Sequence, residues 1–376
     1  MNASLPAPIW VDTTDGLRRM CASLLRQPRI AIDTEANSLY AFREQVCLVQ
    51  FSIPGADYLL DPLTLHDLTP LADIFSSPAI EKVFHAAEYD LLGLQRDYGF
   101  TFTNIFDTML AARILGYKQL GLGSLLAEKF QVEIDKRFQK ADWGARPLPP
   151  GLVDYARLDT HYLLELRDSL EAELREKDRL DLAREDFQRS CYVTNGSRQP
   201  KERWERIDGQ QDLTPRRRTI LNELCLSREK IAERLNRPLF KVLNDHVLLK
   251  LAQIEPDSLN ELKLAGLSER QFDRFGRAML EAIQRGKTAP LVKPTEIEKP
   301  SNAILNRLNK LKNWRKKKAE ELGVESDIVL PRAYLFPLAE RNPRALEVLS
   351  AIMDDSPWRV EHFGEEILKS LGMKQA

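Results

Sequence analysis

Hydrophobic positions in the first hundred residues fall into short runs. Residues 29–33, 46–53 and 58–60 are rich in Ile, Val, Leu and Phe and are bounded by Pro, Gly or Asp, the pattern of buried strands; 81–85 is a fourth. Between and after them, apolar residues recur at helical spacing over 15–26, 67–76, 88–98, 107–115 and 122–130. Strands first, helices interleaved and then dominant, predict a mixed sheet flanked by helices. Arg146-Pro-Leu-Pro-Pro-Gly151 interrupts the pattern, and one helix is expected after it, running through Tyr155, Asp159, Leu163, Leu166 and Leu170.

The second half reads as helical, and it is duplicated. Leu221-Asn-Glu-Leu224 recurs as Leu308-Asn-Lys-Leu311, Ala232-Glu233 as Ala319-Glu320, and Pro256 as Pro343, each 87 residues on; Phe275-Gly276 recurs as Phe363-Gly364, 88 residues on. That period exceeds the ~20–50 residues of a solenoid unit, so it implies two copies of a small helical domain. Asn195–Pro200 marks the boundary before the first copy, and the proline-containing stretch 288–300 links the two. The expected division is 1–195, 210–290 and 301–372.

Composition narrows this only a little. The chain has 376 residues, long enough for two or three domains, with 43% hydrophobic and 30% charged residues. Lys and Arg (55) nearly balance Asp and Glu (56), so net charge does not signal nucleic acid and local clusters must be read instead. Cys21, Cys47, Cys191 and Cys225 form no metal or redox spacing, which suits a reducing compartment. The N-terminal residues lack the basic and apolar regions of a secretory leader, and no run approaches ~18 apolar residues; a cytoplasmic location is expected.

The chemistry resides in scattered acids. Ile30-Ala-Ile-Asp33-Thr-Glu35 ends a strand-like run, and Asp-x-Glu on a strand points both carboxylates to one face. Tyr155 and Asp159 share a helix face at i and i+4. Alone, either pair reads as a strand end or a solvated helix face. If they converge with Asp90, four carboxylates share one site. Two such charges ~4 Å apart repel by ~4 kcal/mol at an effective dielectric of ~20, so the cluster needs protons or divalent cations. All-oxygen ligands select Mg²⁺ or Mn²⁺, and two such ions suit an in-line phosphodiester displacement. Tyr155, with an ordinary pKa near ~10, would orient the attacking water rather than take its proton.

The segments IAIDTEANSLY, KVFHAAEYDLLGLQRDYGF, NIFDTMLAARILGY and LVDYARLDTHYLL resemble the motifs of the ribonuclease D family of DEDD exonucleases, and the tandem repeats resemble HRDC domains. The resemblance runs from about Trp10 to Leu371. It implies a ribonuclease-H-like α/β exonuclease domain followed by two all-α HRDC-type domains. It also implies 3′→5′ exonucleolysis of RNA, releasing nucleoside 5′-monophosphates, with tRNA precursors and other structured RNA 3′ ends as substrates. Asp33, Glu35, Asp90 and Asp159 map onto the ligands of two divalent cations, and Tyr155 onto the water-orienting residue. The superfamily's histidine branch places its His five residues before the last Asp; Asp154 stands there, so the tyrosine branch fits. A DNA exonuclease of the same superfamily and a non-catalytic RNA-binding scaffold are the rival readings.

Further substrate contacts are expected at Leu39, as a wedge against the terminal base, and at Gln139, Lys140 and Arg146, as phosphate contacts. His85, which closes a strand, is also carried as a candidate contact. Asp107 reads as a helix N-cap or a supporting acid rather than a ligand, and His161 as a packing or solvent-facing residue. The basic tract 307–318, with Arg315, Lys316 and Trp314, is expected to meet RNA, and Arg216-Arg217-Arg218 to do so more weakly.

Overall fold

The computed structural model describes residues 5–65, 67–192, 202–295 and 299–372. The chain divides into two compact units, one of residues 1–36, 46–194 and 299–376, the other of 37–45 and 195–298.

The first unit is built on a six-stranded mixed sheet, in the order β1-β4-β3-β2-β5-β6. Its strands are β1 (Ile9–Val11), β2 (Arg29–Ala36), β3 (Val46–Ile53), β4 (Ala56–Leu60), β5 (Glu81–Phe84) and β6 (Ile105–Asp107). β2, β3 and β4 are antiparallel neighbours, whereas β1 joins β4, and β5 joins β2 and β6, in parallel. The short edge strands β1 and β6 were not expected from the sequence, because three residues carry too little periodicity to stand out.

The helices of this half are α1 (Thr14–Leu24), α2 (Ala72–Ser76), α3 (Glu88–Tyr98), α4 (Thr108–Leu115), α5 (Leu122–Phe130), α6 (Pro150–His161), α7 (Leu163–Glu176) and α8 (Leu180–Ser190). Two expectations change. The helix predicted over 67–76 is a 3₁₀ turn, Thr69–Leu71, followed by α2. The single helix expected through Leu170 is two, α6 and α7, broken at Tyr162 (φ −99°, ψ 1°). The break lets α6 pack on β3 with Leu152, Tyr155 and Ala156, while Leu163, Leu166 and Leu170 of α7 enter a different core.

Alternation along β2 sets up the site. Ile30 and Ile32 enter the core on one face of the sheet and Ala31 the core on the other. Asp33 and Glu35 therefore continue the face of Ala31, and Thr34 the face of Ile32.

The helical repeats match element for element. The first comprises α9 (Pro215–Arg234), α10 (Leu239–Val242), α11 (Asp245–Ile254), α12 (Leu259–Leu264) and α13 (Glu269–Thr288). The second comprises α14 (Asn302–Leu322), α15 (Ser326–Val329), α16 (Arg332–Arg341), α17 (Leu346–Ile352) and α18 (Pro357–Ser370). Starts lie 87 residues apart for the first four pairs and 88 for the last, the offsets seen in the sequence. In the first repeat α9 and α13 touch so closely that a Cβ on Gly286 would lie 2.5 Å from Ile220 Cα. The 195–200 boundary lies outside the described residues, as do 296–298 of the 288–300 segment. The described part of that segment is tied to its unit, Val292 N donating to Thr219 Oγ1 of the first repeat and Thr295 N to Glu205 just before it.

The second repeat is part of the sheet-containing unit. Arg359, fully buried, pairs with Glu185 and with Asp186 of α8 (2.9 Å to the latter). Arg113 of α4 reaches Glu325 at 2.6 Å and Asp327 at 2.7 Å. Gly116, at φ 87°, lies so near the Gly323 carbonyl that a Cβ would be 2.5 Å from its oxygen.

Candidate active site

Three of the expected acids meet. Asp33 and Glu35 of β2 and Asp159 of α6 each offer a carboxylate oxygen, and these oxygens lie within 4.8 Å of one another. Asp90 approaches from the other face of β2. It is the third residue of α3, and its Oδ1 accepts from Thr34 N (3.1 Å) and Thr34 Oγ1 (2.5 Å). Thr34 points to that face, so the strand's alternation explains why Asp90 joins the cluster electrostatically without belonging to the close trio.

Helix α6 is held near its C-terminal end. Pro150 opens it, and Thr160 Oγ1 near its C-terminus meets Ser52 Oγ at 2.7 Å, which donates to Asp57 at 2.7 Å. His161 completes the clamp, its Nδ1 2.8 Å from Asp57 Oδ2, so it is neither a simple packing residue nor solvent-facing.

Burial and like charge push the acids up. Asp33 lies well above the usual carboxylate range, first through desolvation and then through the charges of Asp90, Asp159 and Glu35. Glu35 does so for the same reasons, with Asp159 and Asp90 as the charges. Asp90 rises to about 7 by burial, against the pull of the Thr34 hydrogen bonds. Asp159 rises to about 7 by burial, with Tyr155 hydrogen bonding opposing and the Asp90 charge adding. The Tyr155 hydroxyl is raised by burial and by the charges of Asp159, Glu35 and Asp33. Gln139 hydrogen bonds to it.

Asp33, Glu35, Tyr155 and Asp159 line a cleft of about 390 Å³, within the ~300–1,000 Å³ of ligand sites. His85 and Gln139 lie on its walls, as does the Gly121–Ser124 turn that opens α5. Burial lowers the pKa of His85 and keeps the ring neutral; its Nδ1 lies 2.9 Å from Thr108 Oγ1.

The donor set suits hard divalent cations. Its ligands are all oxygens, and their packing is unfavourable unless protons or cations neutralise it. A second observation agrees. Gln50 pairs with Asp33 across β2 and β3 and so shares its face of the sheet. Its fully buried amide has no hydrogen-bond partner among the described residues, an unspent polar group beside the acids. Gln50 was missed, although a lone Gln in the apolar run Val46–Ile53 was a signal. Thr34, Asp57 and the Gly121–Ser124 turn were also missed; their roles depend on neighbours far along the chain.

Several expected substrate contacts are committed elsewhere. Arg146 forms a bidentate pair with Asp61 (2.6 and 2.8 Å) and donates to the carbonyls of Cys47, Trp143 and Ala145, which makes it a brace. Arg315 donates Nη1 to Leu330 O at 2.9 Å, as Arg228, 87 residues earlier, does to Leu243 O at 2.9 Å. Both are internal clamps of their repeats. Trp314 Nε1 donates to Glu366 at 3.0 Å and its ring packs edge-on to Phe363, so the expected aromatic RNA contact is a core contact. Arg216, Arg217 and Arg218 bond to Gly286 O and Ala289 O, to Glu255, and to Gln210 O and Gln211 O respectively. Lys316 remains exposed, with a long 4.0 Å pair to Glu320, and Lys140 is exposed. Leu39, 39% exposed, belongs to the 37–45 segment of the other unit.

Comparison with known proteins gives consistent matches. A family model described as 3′-5′ exonuclease matches residues 8–175, and one described as HRDC domain matches 217–283 and 304–371. A ribonuclease D of Jannaschia sp. is 30% identical over 97% of this chain and 95% of its own. One of Pseudomonas paraeruginosa is 28% identical over 99% of both. The crystal structure of Escherichia coli RNase D, described as an exoribonuclease involved in structured RNA processing, superposes with a TM-score of 0.72 at 25% identity, covering 97% of this chain and 98% of that one.

Proposed function

The chain belongs to the ribonuclease D family and is a 3′→5′ exoribonuclease, and we propose that it trims the 3′ ends of tRNA precursors and other structured RNAs, releasing nucleoside 5′-monophosphates. The observation that supports the chemistry best is the convergence of Asp33, Glu35 and Asp159 within 4.8 Å beside Tyr155. Asp33, Glu35, Asp90 and Asp159 would hold two divalent cations, Mg²⁺ or Mn²⁺. When bound, these supply Lewis acidity at the phosphoryl group and offset charge on the attacking and leaving oxygens.

The chain's own residues do the rest. Tyr155 stays protonated at neutral pH because its pKa is raised, so it aims the attacking water through hydrogen bonds and takes no proton. Gln139 holds the Tyr155 hydroxyl in place. The N-terminus of α5 has no side-chain cap and lines the cleft, where its unbonded N–H groups would meet the phosphates. Neutral His85 on the cleft wall, with Lys140 and Lys316, completes the substrate contacts proposed for this unit. The domains proposed are 1–195 for catalysis and 210–290 and 301–372 as HRDC-type domains that grip the RNA body.

Among the described residues no helix is long and apolar enough to cross a membrane, and a cytoplasmic site of action is part of this proposal. One assay tests the core of it. RNA labelled at either end, with and without divalent cation, should lose single nucleoside 5′-monophosphates from the 3′ end in the presence of the cation. Asp33→Asn should abolish cleavage and leave RNA binding intact. Full activity in that variant overturns the site, retained RNA binding without cleavage in the native chain favours a scaffold, and equal hydrolysis of a matched DNA oligonucleotide favours a DNA exonuclease.

A further inference from the structure

Asp90 is carried by a helix that starts without a side-chain cap of its own. The residue before α3, Ala87, has no capping side chain, and Ala86 before it is left-handed at φ 64°. An L-residue with a Cβ holds that conformation only under constraint. The constraint comes from a different strand. Asp107, at the end of β6 and 3% exposed, accepts from Ala86 N at 3.0 Å through Oδ1 and from Ala87 N at 2.8 Å through Oδ2. The same carboxylate caps α4, with Oδ1 accepting from Met109 N (2.8 Å) and Leu110 N (3.1 Å).

We infer that Asp107 is a positioning residue for the reaction: one carboxylate caps two helices, holds the left-handed turn at Ala86, and thereby fixes the direction from which Asp90 reaches the cluster. Asp90 sits three residues beyond Ala87, within the first turn of α3, so any rotation of that turn displaces its carboxylate. Its far side is fixed by Thr34 on β2. Asp90 is thus held between two supports, Thr34 in front and the Asp107-braced turn behind. β5 and β6, which carry the two chain segments involved, pair in register at Phe84 and Asp107. The sheet therefore places the carboxylate beside the turn that it holds. The inference rests on the reading of Asp90 as a cation ligand and adds to it the group that aims it.

Asp107→Ala, Asp107→Asn and Asp90→Asn test this in the full chain, with Leu24→Ala on α1 as a control that lowers stability by a core cavity. Four quantities decide it: kcat and KM on a short oligoribonucleotide, the Mn²⁺ concentration at half-maximal thermal stabilisation, and the Tm without metal. Asp107→Ala should lose at least tenfold in kcat with KM changed less than twofold, and its Mn²⁺ midpoint should rise at least fivefold. Asp107→Asn, which keeps an acceptor oxygen in place of Oδ1, should recover part of both. Leu24→Ala should lower Tm with neither effect. If Asp107→Ala does not fold, the Asn variant carries the comparison against Leu24→Ala. A kcat and Mn²⁺ midpoint in the Asp107 variants equal to those of Leu24→Ala would overturn the inference while an inactive Asp90→Asn left the site intact. A fully active Asp90→Asn would overturn the reading of Asp90 itself.

Discussion

Replacing Asp159 with Asn should make the metal-free protein more stable as it removes activity. The Asp159 carboxyl rises from 3.8 to about 7, mainly by burial and also by the charge of Asp90. Each unit is worth ~1.4 kcal/mol, so ionising Asp159 in the metal-free fold costs on the order of 4 kcal/mol once the pH exceeds 7. The sign follows from linkage. The unfolded chain releases this proton near pH 4 and the folded chain near pH 7, so stability present below pH 4 is lost progressively up to about pH 7. Asn carries no proton and escapes that loss, but its buried amide returns roughly 1–3 kcal/mol of desolvation cost. The net gain at pH 8 is then about 1–3 kcal/mol. At ~2–4 °C per kcal/mol for a unit of this size, Tm in EDTA should rise by roughly 2–12 °C. At pH 5, where the native carboxyl is still protonated in the fold, the gain should shrink to near zero. Adding Mg²⁺ at pH 8 should raise the native Tm and leave the variant nearly unmoved. Thermal unfolding in EDTA at both pH values, followed by circular dichroism, makes the comparison. A variant no more stable than the native chain at pH 8, or an equal gain at pH 5 and pH 8, would refute the electrostatic account.

Three other outcomes follow from the same geometry. Arg359→Met should cost about 3–5 kcal/mol in urea unfolding, because it leaves Glu185 buried without its cation and Asp186 with only its 3.3 Å pair to Arg189, and adding Glu185→Gln and Asp186→Asn should restore much of it; a loss under 1 kcal/mol would mean the pair is not buried in solution. Gln50→Leu should hold or raise Tm by removing an unpartnered amide, yet lower kcat, whereas unchanged kcat would remove Gln50 from the site. Lys316→Ala should flatten the salt dependence of RNA binding by about one unit of slope with Tm unchanged, while Arg315→Ala should lower stability and leave that slope alone; the reverse pattern would restore Arg315 as the RNA contact.

Local pattern was enough to reveal much of this protein. The β2 run ending in Asp33-Thr-Glu35, the i and i+4 pair Tyr155 and Asp159, and the 87-residue repeat are short-range signals, each written within one element or one copy. Alternation and helical period alone oriented the acids correctly within their elements, and the motif order pointed to the family. The repeat even preserved the residues of its internal clamp, Arg228 and Arg315, although the sequence did not disclose that they were clamps. What a charged residue does was the part that stayed hidden. Arg146, Arg315 and the arginine triplet looked available to RNA because a run of cations reads the same whether it faces solvent or carbonyls. Three of their partners, Asp61, Leu330 O and Gly286 O, lie 85, 15 and 70 residues away. Only the fold brings those partners in. It also decided that Asp90 reaches the cluster from behind β2, that His161 clamps Asp57, and that Asp107 serves two helices at once. The sequence determined which chemistry the chain carries, since that follows from residue type and local spacing. Which groups are spent on structure and which remain for substrate depends on long-range packing, and the tertiary structure alone decided it.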